Sequence, residues 1–157
     1  MGFSLLQPLR EIPLAFVDTE TTGASADFGH KVIEIGVVRV EAGRVVGEYQ
    51  QLLNPGRKIS AGVAALTGIT QAMTDGQPTF SEQMPRMMEL MGGAAILGHN
   101  VRFDLGFLRK EIRRAGREIT EVFGAIPVMD TVRIARRRFG RGGNGLGMLA
   151  RRLGIEP

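Results

Sequence analysis

The sequence predicts an α/β domain: a mixed sheet flanked by helices. Three observations carry that reading. The run Leu14-Ala15-Phe16-Val17 has the length and apolarity of a strand. Two β-branched segments, residues 31–40 and 44–53, flank the turn Glu41-Ala42-Gly43 as a hairpin. Beyond residue 60, stretches with helical spacing alternate with further short apolar runs.

Taken in order, Leu14 to Val17 reads as a central strand buried on both faces, ending in Asp18-Thr19-Glu20, and residues 21–29 as a loop. The hairpin follows and is stopped by Asn54-Pro55-Gly56. Ser60 is placed to cap a helix that runs through Leu66 and ends at Gly68. Thr79-Phe80-Ser81-Glu82 fits a capping box for a helix reaching Gly92. Pro85 lies inside that helix, which predicts a kink near its first turn or a later start. Met84, Met87, Met88 and Met91 recur there at helical spacing, as core residues do. Ala94 to Leu97 is a fourth strand, after which Asn100 can cap a helix with apolar Val101, Leu105, Leu108, Ile112 and Ala115. Residues 126–129 read as a fifth strand. Asp130 then caps a basic helix from Thr131 to Phe139, and a glycine-rich loop leads to a last helix over Leu146 to Leu153.

Length and composition bound the function. One core of 157 residues can be buried without staples, and no repeat, low-complexity tract or long linker points to a second domain within residues 1–157. The chain has no cysteine, which excludes a disulfide-dependent fold. Met1 to Pro13 carries Arg10 and Glu11 and lacks the continuous apolar core of a signal peptide, and no apolar run reaches spanning length. A soluble, cytoplasmic protein with no membrane partner is expected. The net charge of +4 divides unevenly. Residues 1–100 hold seven Lys/Arg and ten Asp/Glu, while residues 101–157 hold thirteen and six, so the halves stand at −3 and +7. A basic half of this kind suits a polyanionic partner.

The chemistry concentrates in three acids. Asp18 and Glu20 are two apart on a strand and point to the same side, where like charges repel. Asp104 falls on the apolar stripe of its helix, between Val101 and Leu108, and a carboxylate facing inward needs a partner. Strand ends and helix starts share one rim of such a sheet, so the three can converge. Hard oxygen donors without Cys or His beside them suit Mg²⁺ or Mn²⁺. Two such ions about 4 Å apart activate a water and stabilise the leaving oxygen of a phosphodiester.

The segments Asp18-Thr19-Glu20-Thr21-Thr22-Gly23, Leu66-Thr67-Gly68-Ile69-Thr70 and residues 98–108, from Gly98-His99-Asn100 to Asp104 and Leu108, resemble the DnaQ-like DEDD exonucleases. Among these the chain is most similar to the epsilon-type proofreading exonucleases of bacterial DNA polymerase III. The resemblance implies a ribonuclease H-like, five-stranded mixed sheet flanked by helices, and a 3′–5′ exonuclease that releases mononucleotides from DNA with two Mg²⁺ or Mn²⁺ ions. It assigns metal binding and catalysis to Asp18, Glu20 and Asp104. Thr21, Thr22, Gly23, Leu66, Thr67, Asn100 and Phe103 are assigned to the terminal nucleotide. Single-stranded or frayed 3′ ends of DNA, and a DNA polymerase subunit, are the implied partners. In that family a third motif adds a histidine base and a fourth acid after a helix like the one at Leu146 to Leu153, and residues 1–157 stop before its place. His30 is expected to be a loop residue and His99 a hydrogen bonder at a strand end, neither of them the base. The alternatives are an incomplete module that binds nucleic acid or polymerase without cleaving, and an RNA-trimming member of the same family.

Overall fold

The computed structural model describes residues 7–123 and 127–155. Five strands, β1 (Leu14–Thr21), β2 (Val32–Glu41), β3 (Arg44–Leu52), β4 (Ala95–Gly98) and β5 (Val128–Asp130), form one sheet in the order β3-β2-β1-β4-β5. The pairs β1–β2 and β2–β3 are antiparallel, whereas β1–β4 and β4–β5 are parallel, so the expected mixed sheet is present. The helices are α1 (Ala61–Thr67), α2 (Gln71–Thr74), α3 (Phe80–Met91), α4 (Arg102–Arg114), α5 (Ile119–Phe123), α6 (Thr131–Phe139) and α7 (Leu146–Leu153). Among the described residues no helix is long and apolar enough to cross a membrane.

Local signals account for the helix ends. The Ser60 hydroxyl accepts from the Val63 amide, and Gly68 closes α1 in the left-handed region at φ 75°. Thr79 and Glu82 complete a reciprocal capping box, and the helix starts at Phe80 with Pro85 inside it. The later start is therefore corrected. Pro85 removes one ladder bond, from the carbonyl of Ser81, a solvent-exposed residue. Asp130 caps α6 as expected, its side chain accepting from Val132 N–H. Residue 126, the expected start of the fifth strand, lies outside the described residues.

Asn100 does not cap α4 with its side chain. It sits in the left-handed region at φ 68°, and its carbonyl accepts from the Phe103 amide. Asn tolerates that region better than most residues, which gives the turn out of β4 its tightness.

The main core lies on one face of the sheet. Ala15, Val17, Ile35 and Val37 meet Met84, Met87 and Met91 of α3 and Phe107, Leu108 and Ile112 of α4. Each large side chain buried there contributes about 1.5–3 kcal/mol. The opposite face is only partly covered, by a small cluster of Ile12, Ala95 and Leu97 at its base. β1 is therefore not buried on both faces: Phe16 on the second face is 38% exposed. The strand also continues past Val17 to Thr21, and this extension carries Asp18 and Glu20.

Candidate active site

β1 outruns its parallel neighbour. It pairs with β4 only from Leu14 to Phe16, while pairing with β2 continues through Glu20↔Glu34, so residues 18–21 leave one strand edge beyond the end of β4. The chain leaving β4 turns at Asn100 into α4, whose first turn is thereby set against that edge. Gly98 makes the approach possible. A Cβ there would stand 2.9 Å from both Val101 Cβ and the Val17 carbonyl oxygen, closer than real contacts allow.

Alternation along β1 sorts its polar residues. Thr19 and Thr21 are buried on the core face, whereas Asp18 is exposed and Glu20 half-buried on the open face. Asp104 in the first turn of α4 is 3% exposed, and its Oδ1 accepts a 2.7 Å hydrogen bond from Thr19 Oγ1. That bond is the partner the buried carboxylate required. Burial pushes the Asp104 carboxyl up to about 6. The Asp18 charge pushes in the same direction, against the lowering effect of the Thr19 bond. Burial also raises the Glu20 carboxyl, with the charges of Asp18, Glu34 and Asp104 adding to the rise. The three predicted acids therefore lie within electrostatic reach of one another. Among the described residues, however, no group of three or more His, Asp or Glu side chains is positioned to hold one ion. Asp104 is turned to Thr19 rather than toward a common centre. The donor set is nonetheless carboxylate oxygen throughout, the chemistry a hard divalent cation requires.

A cleft of about 700 Å³ opens beside Asp18 on the uncovered face, walled in part by Phe16, Val38, Gln50, His99 and Leu146. His99 Nδ1 hydrogen-bonds Thr131 Oγ1 at 3.0 Å, and that hydroxyl also donates to the Gly98 carbonyl at 3.2 Å. His99 is thus the strand-end hydrogen bonder expected of it. His30 sits just before β2, with Nδ1 3.1 Å from Thr22 Oγ1.

The remaining predicted residues fall into two groups. Thr21, Thr22 and Gly23 continue directly from the acidic strand and are held firmly. Thr21 Oγ1 donates to the Gly23 carbonyl at 2.8 Å, and Thr22 Oγ1 accepts from Lys31 N–H at 3.0 Å. The His30 ring lies within 2.5 Å of where a Gly23 Cβ would stand, so any other residue would displace it. Asn100 and Phe103 flank the start of α4. Asn100 N–H donates to Asp130 Oδ1 at 3.1 Å, and the Phe103 ring packs tilted on Phe107 with centroids 4.9 Å apart. Leu66 and Thr67 stand apart at the end of α1. Leu66 is 86% exposed, and Thr67 Oγ1 donates back to the Val63 carbonyl. α1 leans through Val63 and Ala64 on Ile33 at the start of β2, which pairs with the end of β1.

Two residues escaped the sequence reading. Thr19 is the first, although its odd register placed a polar side chain on the core face, where only a bonded partner makes it tolerable. Glu34 is the second. It lies directly across from Glu20 and is held at 3.0 Å by Gln50 Nε2. Its place as a charged residue between Ile33 and Ile35 in a β-branched run was the available signal.

The sheet order, with the acids on the central strand that joins its antiparallel and parallel halves, is that of a ribonuclease H-like fold. Residues 15–157 match the RNase_T exonuclease family, and the chain belongs to that family. Family members are generally dependent on divalent metal. A DNA polymerase III subunit epsilon-like protein of Rhodobacter capsulatus is 38% identical over 151 residues, which cover 94% of this chain and 21% of that protein. The 3′-5′ exonuclease DinG of Bacillus subtilis is 34% identical over 120 residues, covering 76% of this chain and 12% of that protein. The chain thus spans about a fifth or less of the length of these curated relatives. Among solved structures, exonuclease X in complex with 5′ overhanging duplex DNA superposes with a TM-score of 0.68 at 25% identity, over 92% of this chain and 75% of that one.

Proposed function

We propose that this chain is a 3′–5′ exonuclease domain that releases mononucleotides from DNA 3′ ends, of the epsilon-like proofreading or repair type. The observation that supports it most is the placement of three acids about the end of β1, each within electrostatic reach of another: Asp18 and Glu20 on the open face, and Asp104 bonded through Thr19 to the same strand. In this reading Asp18, Glu20 and Asp104 would hold two Mg²⁺ or Mn²⁺ ions. When bound, the ions supply activation of the attacking water and stabilisation of the leaving oxygen.

The chain's own residues have distinct tasks. Thr19 holds Asp104 in place and fixes which oxygen is left for a ligand. Thr21 to Gly23, stiffened by hydrogen bonds, presents backbone to the terminal nucleotide. Phe103 and the exposed Leu66 offer apolar surface to base and sugar, with Thr67 and Asn100 beside them. The cleft next to Asp18 receives the strand end, and a polymerase subunit and single-stranded or frayed DNA are its partners. Residues 1–157 make up one exonuclease-like domain that stops before the place of the family's third motif, with its histidine base and fourth acid.

The test is a 5′-labelled single-stranded oligonucleotide incubated with the protein in Mn²⁺. The reading expects a ladder shortening one nucleotide at a time from the 3′ end, lost in Asp18→Asn, Glu20→Gln and Asp104→Asn. An oligonucleotide that is bound but never shortened would assign the fold to a non-catalytic binding module instead. Faster shortening of an RNA oligonucleotide would make it an RNA-trimming member.

A further inference from the structure

The arginines of α4 and α6 are deployed differently. Toward the end of α4 and just after it they are paired, Arg113 with Glu118, Arg114 with the buried Glu111, and Arg117 with Glu121, and Lys110 reaches Asp27, while Arg102 and Arg109 of α4 join no salt bridge among the described residues. On the other side, Arg133, Arg136 and Arg137 of α6 and Arg141 of the following loop line one pocket of about 580 Å³. Among the described residues none of these four joins a salt bridge. Their neighbours are committed elsewhere, since Arg138 and Arg152 lie over the Phe139 ring at 5.5 and 4.8 Å from its centroid.

Helix stability does not explain the group. Cations near a helix C-terminus are favoured, which accounts for Arg136 and Arg137 in the last turn of α6. It does not account for Arg133, third residue of the helix, where the dipole disfavours a cation, or for Arg141 beyond the helix end. Arg133 and Arg137 are four residues apart, so they sit one above the other on one face, about 6 Å along the axis. The helix that carries the stripe starts beside the acidic site. Thr131, the first residue of α6, bonds Gly98 and His99, and Asp130 holds the Asn100 amide.

We propose that Arg133, Arg136, Arg137 and Arg141 form a phosphate-binding stripe that holds the backbone of a nucleic-acid strand as it runs to the acidic site. Guanidinium groups without acid partners bind phosphate by charge and by paired N–H donors, independent of sequence. The inference rests on the nuclease reading above for what lies at the end of the stripe.

The test compares two triple variants of equal charge. Arg133→Gln/Arg137→Gln/Arg141→Gln removes three of the four arginines of the stripe, and Arg44→Gln/Lys58→Gln/Arg86→Gln removes three cations from the acidic half. Binding of a fluorescent 20-nucleotide oligothymidylate is followed by anisotropy in EDTA across a salt series. Each single-strand phosphate contact contributes about 0.7 to the slope of log K against log salt, so the stripe variant should lose about 2 from it. It should also bind more than tenfold more weakly at ~0.1 M salt, with the control variant near wild type. Hydrolysis of thymidine 5′-p-nitrophenyl phosphate, which has no strand to hold, should be unchanged. A stripe variant with the wild-type slope, or a control variant with the same loss, overturns the proposal. If the slope difference is found but Asp18→Asn alters no hydrolysis, the stripe stands and the nuclease reading falls. Asp18-dependent hydrolysis without a slope difference sinks the stripe alone.

Discussion

The two faces of β1 carry the same kinds of residue to opposite ends. On the core face Ala15 and Val17 pack under α3 and α4, and the polar residues that follow, Thr19 and Thr21, are buried and hydrogen-bonded. On the open face Phe16 borders a cleft, and Asp18 and Glu20 follow with Glu34 across from them. One face stabilises the fold, and the other stores repulsion. Asp104 joins the two: it is anchored on the core face through Thr19 while sharing the field of the acids on the open face. Residues that crowd like charges on an exposed face should therefore cost little stability when neutralised and much activity.

The largest effect expected follows from that asymmetry. Asp18→Asn or Glu20→Gln should lower oligonucleotide degradation by more than the ~100-fold typical of losing a supporting residue around a metal. The thermal midpoint without metal should stay level or rise, because repulsion is relieved. A drop in midpoint would place these side chains on the stabilising side of the comparison.

Thr19→Val should act on both sides. It leaves a buried carboxylate without its donor, a loss of about 1–3 kcal/mol in denaturant unfolding, and should reduce activity about 10–100-fold. An unchanged stability would mean that the bond to Asp104 contributes nothing.

The pH dependence has a definite sign. Because the Asp104 carboxyl is raised to about 6 from an ordinary value near 3.8, the folded chain binds that proton more tightly than the unfolded chain. Its stabilisation is complete below the unfolded value and is lost as pH rises through about 6. In EDTA, Asp104→Asn should therefore be more stable than wild type at pH 7, by on the order of 1–2 kcal/mol, and the gap should close toward pH 4. A gap that widens on acidification contradicts the buried, raised carboxyl.

The smallest effect belongs to α1. Leu66 is 86% exposed, so Leu66→Ala should change stability by less than about 0.5 kcal/mol. Yet KM for an oligonucleotide should rise with kcat little altered, if Leu66 meets the terminal nucleotide.

Local chemistry made much of this fold readable. The Ser60 and Gly68 caps, the Thr79–Glu82 box, the hairpin and the basic helix from Thr131 to Phe139 each follow from near neighbours, and each is present. The misreadings arose where a distant element decides. Asp-Thr-Glu-Thr looks like the end of a strand because it is polar, yet β2 pairs along it and an open face accommodates its acids. Phe16 was taken for core because apolar neighbours suggest burial, and nothing local says that one face lacks a cover. The short α2 and α5, Gln71–Thr74 and Ile119–Phe123, are too brief to show a period. In the site, Asp18, Glu20 and Asp104 were legible as acids in unusual places. Thr19 required knowing which helix sits over β1.

The central proposal is that the acids at the end of β1 bind a hard cation, and one measurement addresses it directly. The thermal midpoint at pH 7 is recorded in EDTA and in Mn²⁺, for wild type and for Asp18→Asn. At a concentration ~100 times the dissociation constant, a ligand that prefers the folded state adds about 2.7 kcal/mol, roughly 5–10 °C for a chain of this size. The account predicts that rise in wild type and its near disappearance in Asp18→Asn. Equal rises in both proteins would put the metal elsewhere and contradict it.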